Sequence, residues 1–184
     1  MKNNITITTE RLLLKPLNRS YLSDNYLSWI NDQEVVKYLE TQVGSSKTDL
    51  ENFLLEIEKN EIFAWAIEIK NLNEHIGNIK IDPIDFKNGY GEYGILMGEK
   101  TQWGKGYAKE ASIGVINFCF EKLKLRKINL GALIENKRAI KLYRNLGFKK
   151  EGHFKKHKVF EDGFCDEIRM SVFNKNFKVK SFSS

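Results

Sequence analysis

Apolar positions along this chain recur with two different periods, and the change from one to the other divides it. From Tyr21 to Ile30 the residues Leu22, Tyr26, Trp29 and Ile30 fall at helical spacing behind Ser20, a residue type suited to cap a helix. A second short helical stretch follows through Val35 to Leu39. A third helix is expected from Lys47 to Asn60, with Leu50, Phe53, Leu54 and Ile57 on one face. Ahead of these helices, Arg11 to Lys15 reads as a strand stopped by Pro16. The period then changes. Ile62 to Lys70, Ile76 to Ile84 and Tyr90 to Met97 are β-rich runs parted by the turn-like segments Asn71 to Glu74 and Phe86 to Gly89, the pattern of an antiparallel meander.

Beyond Met97, helices and strands alternate. A loop holding Gly98, Gly104 and Gly106 leads into a helix from about Tyr107 to Lys124, whose buried stripe is Ala108, Ala111, Val115, Phe118 and Cys119. Lys127 to Leu133 is a strand. Asn136 to Leu146 is a helix ended by Gly147, which stands where a left-handed cap is favoured. Two strands, about Lys149 to Lys158 and Phe164 to Phe173, close the pattern through the turn Glu161-Asp162-Gly163. This order predicts an α+β fold, a mixed and mostly antiparallel twisted sheet flanked by helices, rather than a doubly wound α/β domain. Residues 1–173 are expected to form one domain and 174–184 a polar tail.

Composition narrows the function. Apolar residues at 41% beside charged residues at 29% belong to an ordinary globular chain. No run approaches the roughly 18 apolar residues of a membrane span, and Met1 to Glu10 has no apolar signal core, so a cytoplasmic protein without membrane contact is expected. Cys119 and Cys165 stand outside any CxxC spacing and read as packed, reduced thiols. His153 and His157 are four apart but in a predicted strand, and His75 opens a strand with no recognisable partner, so no metal is assigned. The net charge of +6 suits either nucleic acid or a polyphosphate-bearing cofactor. Its Lys and Arg gather at Lys100 to Lys109, at Lys137 to Lys158 and in the tail at Lys175, Lys178 and Lys180. The tail reads as solvated. An RNP sequence, a zinc-finger spacing and a clear helix-turn-helix signal are all missing, which argues against nucleic acid.

The first two basic clusters coincide with motifs. Gln102-Trp-Gly-Lys-Gly-Tyr-Ala108 lies between a strand and an amphipathic helix. Glycines there let the backbone approach a ligand, and the helix N-terminus offers unpaired N–H groups, which together make an anion cradle. A Walker A loop is excluded: five residues separate Gly98 from Gly104, and Lys105 is followed by Gly106 instead of Ser or Thr. A dinucleotide fingerprint fails as well, since Lys109 replaces its last glycine and Arg126 and Lys127 stand where an acidic residue is needed.

The second motif is Asn136-Lys-Arg-Ala-Ile-Lys-Leu-Tyr-Arg-Asn-Leu-Gly-Phe148. Asn136 and Tyr143, close to two turns apart, project from one helix face about 10 Å apart along the axis, so the pair can address two parts of one extended ligand. With the pattern Gln/Arg-x-x-Gly-x-Gly/Ala, this resembles the two cofactor segments of the GNAT superfamily of acetyltransferases. The resemblance runs from Thr9-Glu-Arg-Leu-Leu-Leu14 to Asp166-Glu-Ile-Arg-Met170. It points to the branch that holds ribosomal-protein N-terminal acetyltransferases, spermidine acetyltransferases and enzymes acetylating amino sugars. Trp29-Ile-Asn-Asp-Gln-Glu-Val-Val-Lys-Tyr-Leu39 and His75-Ile-Gly-Asn-Ile-Lys-Ile81 lean towards the last group.

The resemblance implies acetyl-CoA as co-substrate, no metal, and transfer to a primary amine of a small molecule by direct attack. By that resemblance Gln102, Trp103, Gly104, Lys105, Gly106, Tyr107, Ala108, Asn136, Arg138 and Arg144 bind the cofactor. So do Leu96 and Met97, on a strand expected to splay near Ile95 to Met97. Tyr143 would protonate the leaving thiolate. An amine must lose a proton before it attacks, and Glu92, on the strand before the cofactor loop, is the candidate base. Trp29 and Asn31 are the candidate acceptor contacts. Cys119, mid-helix on an apolar face, is a poor nucleophile. Acetylation of a ribosomal-protein or peptide N-terminus is the alternative within the family, and a non-catalytic acyl-CoA sensor the alternative outside catalysis. A homodimer is common among similar enzymes.

Overall fold

The computed structural model describes residues 5–39 and 43–177. Lys178 and Lys180 of the tail, and part of the segment between Trp29 and Gly44, lie outside the described residues. The chain opens with strands β1 (Ile7–Thr8) and β2 (Leu12–Pro16). The first helix starts later than its spacing predicts. Asn18, not Ser20, closes a single turn at Arg19–Tyr21, and Ser23 caps α1 (Asp24–Ile30) because its Oγ accepts the Tyr26 N–H at 3.1 Å. Asp32 likewise starts α2 (Gln33–Val36) earlier than expected by accepting from the N–H groups of Glu34 and Val35. α3 (Lys47–Lys59) is opened by a reciprocal box in which Ser46 and Asp49 each satisfy the other's backbone. It buries Leu50, Leu54 and Ile57, whereas Phe53, at the margin of that stripe, stays 41% exposed.

The meander follows as β3 (Phe63–Ile69), β4 (Glu74–Asp85) and β5 (Tyr90–Met97). After it come α4 (Tyr107–Glu121), β6 (Lys127–Leu133), α5 (Lys137–Asn145), β7 (Lys149–Phe160) and β8 (Gly163–Phe173). All eight strands share one sheet in the order β1-β2-β3-β4-β5-β6-β8-β7. Every pairing is antiparallel except β5 with β6, where α4 forms the crossover that a parallel pair requires.

The sheet has a helix layer on each face. Leu12, Leu14, Phe63, Trp65, Ile67 and Ile79 pack with Ala111, Val115 and Cys119 of α4 and Ile140 and Tyr143 of α5. Across the sheet, Ala64 and Ala66 of β3 leave room for Leu50, Leu54 and Ile57 of α3 and Tyr26, Trp29 and Ile30 of α1. β3 is therefore buried at every position, while β7, on the outer edge beyond both layers, is mostly exposed. Among the described residues no helix is long and apolar enough to cross a membrane.

Candidate active site

The site is built where the single parallel pair ends. β5 and β6 are in register only at Tyr90–Lys127, Gly91–Ile128 and Glu92–Asn129. Beyond Glu92 the two strands diverge, although β5 stays paired with β4 as far as Met97. The splay thus opens at Tyr93, two residues earlier than the Ile95 to Met97 expected from the sequence. One edge of Tyr93–Met97 faces a wedge instead of a strand, which leaves backbone groups there for a ligand.

The cradle sits at the wide end of that wedge. Gly104 and Gly106 have φ of +80° and +86°, a region costly for any side chain. Gly106 is the N-cap of α4 and brings no side-chain hydrogen bond to it, so the first amides of this 15-residue helix are uncapped. A Cβ built on Gly104 would meet nothing within 4 Å, and one on Gly106 would lie 3.4 Å from Nη2 of Arg11. Open space above Gly104, with a guanidinium as the nearest neighbour of Gly106, is what an anionic ligand drawn to those amides needs.

Several of the predicted cofactor residues brace this loop rather than line it. Trp103 Nε1 donates to the Met97 carbonyl at 2.9 Å and pins the loop to the end of β5. Lys105 Nζ donates to Gln102 Oε1 at 2.8 Å, and Gln102 Nε2 in turn reaches Glu74 at 3.2 Å. Tyr107 opens α4 beneath the Arg11 guanidinium, which lies 4.5 Å from its ring centroid, and Ala108 is half-buried one residue on. Arg138 joins the two motifs: its guanidinium lies 5.2 Å from the Trp103 ring centroid, bringing the start of α5 to the cradle. Asn136 caps α5, its Oδ1 accepting from Ala139 N–H at 3.1 Å. Arg144 is exposed in the last turn of α5, at the far end from Arg138.

Arg11 and Glu110 carry a structural role that the pattern reading did not assign. Arg11 Nη1 donates to the Lys105 carbonyl at 3.0 Å and Nε to Glu110 Oε2 at 2.6 Å, while Thr9 Oγ1 and Arg11 N–H both donate to Glu110 Oε1. The strut locks the start of α4 to β2 and places a cation beside the cradle. Thr9 and Arg11 were visible in the N-terminal segment, but their partner lies 101 and 99 residues away. Partial burial would raise the Glu110 carboxyl, but the hydrogen bonds from Thr9 and Arg11 and the guanidinium charge bring it below its ordinary value. A carboxylate lowered on folding adds stability above its unfolded value of about 4.3 and loses it as pH falls through the lower folded value. The melting-temperature gap between the parent and Glu110→Gln should therefore be full at pH 7 and close on acidification below pH ~4, as measured by thermal scans across pH.

Two tyrosines meet at the narrow end of the wedge. Tyr93 and Tyr143 lie edge to face with centroids 5.8 Å apart, and Phe148 completes the cluster. Ser112 donates its proton to the Ala108 carbonyl at 2.6 Å, so the 2.7 Å contact between Ser112 Oγ and Tyr93 is donated by Tyr93. The Tyr93 hydroxyl is thus engaged. That of Tyr143 has no hydrogen-bond partner among the described residues, and burial pushes it up to about 12, so it stays protonated at neutral pH.

Glu92 points to the other face, since its neighbour Tyr93 points towards α4 and α5. Glu92 Oε2 accepts from Arg169 Nη2 at 2.7 Å, and Oε1 lies at ion-pair distance, 2.7 Å, from the same nitrogen. Asn129, its cross-strand neighbour on the same face, holds a buried Oδ1 with no hydrogen-bond partner among the described residues. Trp29 and Asn31, expected at the acceptor, both take part in packing or hydrogen bonding around α1. Trp29 is 4% exposed and packs where Gly98 has no side chain, so closely that a Cβ there would lie 2.0 Å from the indole. Asn31 donates to the carbonyls of Leu27 and Ser45 and accepts the Gly44 N–H, holding the ends of the segment that follows α1.

His75, read as partnerless, sits in an aromatic box of Tyr21, Tyr26 and Trp29, with Nε2 3.0 Å from both the Gly77 carbonyl and Asn78 Oδ1. Cys119 is fully buried and burial pushes its thiol up, which keeps it protonated and unreactive. Among the described residues, no group of three or more His, Cys, Asp or Glu side chains is disposed to hold a metal ion.

Strands that part beside a glycine-rich loop and an uncapped helix N-terminus are the architecture of an acyltransferase fold. The chain belongs to the GNAT acetyltransferases: residues 11–149 match the family model described as the acetyltransferase (GNAT) domain. It is 30% identical to the uncharacterized N-acetyltransferase p20 of Bacillus licheniformis over 94% of this chain and 98% of that protein. It is 26% identical to the spermidine N(1)-acetyltransferase of Vibrio cholerae, over 82% of this chain and 87% of the relative. In structure it is similar to the V. cholerae spermidine N-acetyltransferase solved with CoA and spermine, with a TM-score of 0.82 at 24% identity, covering 91% of this chain and 98% of that one.

Proposed function

We propose that this protein acetylates a primary amine of a small molecule, with acetyl-CoA as donor. The observation that carries the reading is the placing of a free, protonated phenol and a carboxylate on opposite faces of one wedge, which separates the donor side from the acceptor side. The residues fit the donor. Uncapped amides of α4 and the glycine loop, with Arg11 and Lys105 alongside, suit its diphosphate, and the free edge of Tyr93–Met97 suits its amide-bearing arm. When bound, acetyl-CoA supplies the activated acyl group and a thiolate leaving group.

The chain's own residues then divide the work. The Met97 N–H, on the edge of β5 turned away from β4, would hold the thioester carbonyl and polarise it, whereas the Leu96 backbone is turned to β4. Tyr143 holds a proton at its hydroxyl for the departing sulfur. On the opposite face Glu92 and the orphaned Asn129 Oδ1 accept from the nitrogen of the amine, which both orients it and leads its proton out through water. Neither side chain forms a bond to the acyl group.

Two segments of the sequence lean towards an amino sugar without naming the acceptor, and the spermidine acetyltransferases among the relatives support a polyamine. Both are small amines that fit an acceptor face bearing a carboxylate and an unfilled hydrogen-bond acceptor. The deciding measurement is acetyl-CoA consumption with spermidine, glucosamine and an Ala-initiated peptide in parallel. Turnover is expected with spermidine or glucosamine. Exclusive turnover of the peptide would replace the small-molecule reading with N-terminal acetylation, and tight coenzyme A binding without transfer to any of the three would replace catalysis with sensing.

A further inference from the structure

We propose that Arg169 is the positioning residue of the acceptor side, acting through Glu92, and that Gly131 exists to let it reach. The inference rests on the role given to Glu92 above. Arg169 lies on β8, two strands from Glu92 on β5, and its side chain crosses over β6 to get there. The crossing falls where the wedge opens. Arg169 is opposite Gly131 of β6, two residues beyond Asn129, the last β6 residue still paired with β5.

The space for the crossing is made by missing side chains. A Cβ on Gly131 would sit 1.9 Å from Glu167 Oε1 and 2.8 Å from Arg169 Nη1, so any larger residue would displace the fork. On the other flank Arg169 is opposite Gly152 of β7. Glu167, 6% exposed, fixes the guanidinium from behind by accepting from Nη1 at 3.2 Å, and this frees Nη2 to hold the Glu92 carboxylate. A planar guanidinium gripped at one nitrogen and offered at the other leaves the carboxylate little rotational freedom. Partial burial alone would lower the guanidinium, but Glu92 and Glu167 outweigh it and hold the charge in place. An unbraced Glu92, at the last position where β5 still pairs with β6, would spread over several rotamers.

A double-mutant cycle decides the matter. With the fastest amine among spermidine, glucosamine and an Ala-initiated peptide, Arg169→Ala should lower kcat by ~10- to 100-fold, as a misplaced catalytic group does. Coenzyme A affinity should stay at the parent value, because that ligand lies on the other side of the wedge. Arg169→Lys, which keeps the charge but not the fork, should fall between the two. Gly131→Ala, which removes no charge, should also slow turnover. In a Glu92→Gln background Arg169→Ala should cost nothing further, since the residue it positions is already disabled. If Glu92→Gln is slow and Arg169→Ala slows it again by the full parent factor, Arg169 does not act through Glu92 and the proposal alone is overturned. A Glu92→Gln enzyme as fast as the parent would instead overturn the role of Glu92, and the Arg169 proposal with it. Loss of coenzyme A binding in both Arg169→Lys and Gly131→Ala would show a merely structural residue and overturn the proposal too.

Discussion

Replacing Tyr143 with phenylalanine is expected to lower kcat by ~100-fold while coenzyme A affinity stays within about twofold of the parent. The change removes one oxygen and keeps the ring, and the ring is what packs against Tyr93 and Phe148. Since the hydroxyl has no partner among the described residues, its loss leaves no buried group stranded, and the melting temperature should barely move. A hundredfold loss is about 2.7 kcal/mol of transition-state stabilisation, a reasonable worth for a proton donor to a thiolate. Tyr93→Phe is the control. Its hydroxyl is tied to Ser112, so that variant should lose stability and keep most of its turnover. Stopped-flow thiol release with calorimetry of coenzyme A binding tests both, and equal kcat in the parent and Tyr143→Phe would remove Tyr143 from the acid role.

Valine at Gly104 or Gly106 should abolish measurable coenzyme A binding, raising Kd by at least ~100-fold. Two costs combine. Each position lies at a positive φ that a β-branched residue adopts only under strain of roughly 1–3 kcal/mol, and the new side chain would fill the space above the open amides. The two variants should differ in stability. At Gly104 a side chain meets nothing in the free protein, so only backbone strain is felt, whereas at Gly106 it also presses on the Arg11 strut. Isothermal titration calorimetry showing parental affinity in both would remove the cradle from the cofactor site. A melting-temperature shift on adding coenzyme A to the parent, absent from both variants, would support it.

Most of the fold was legible because its elements are signalled locally. The three meander strands, α4, β6 and α5 were each read within a few residues of their observed ends, since apolar period and cap chemistry lie within one element. The first helix was misplaced where two cap residues competed. Ser20 and Ser23 are both competent, and only the Ser23 Oγ lies within reach of the right N–H. Phe53 was counted with the core because helical spacing gives a stripe but not its width, and the width is set by how much of α3 the sheet covers.

The site was legible in part for the same reason. The glycine turn at Gly104 and Gly106 and the helix that carries Asn136 and Tyr143 are recognisable because each is a pattern within a short stretch of chain. The roles of Arg11, Glu110 and Arg169 were not, since each depends on a partner 77 to 99 residues away that no local period marks. Trp29 and Asn31 show the opposite case. A segment that looks characteristic can be so because of packing, here against Gly98 and around the turn to Ser45.

By itself, then, the sequence determined the order and kind of the elements, the α+β class, the glycine-rich loop and the helix that carries Tyr143, because short-range sterics and hydrogen bonding dictate these. Tertiary structure alone decided where β5 and β6 part, which face each side chain looks to, and which tyrosine keeps a free hydroxyl. Those outcomes follow from strand register and packing between distant segments. A shift of one residue there turns every side chain to the other face.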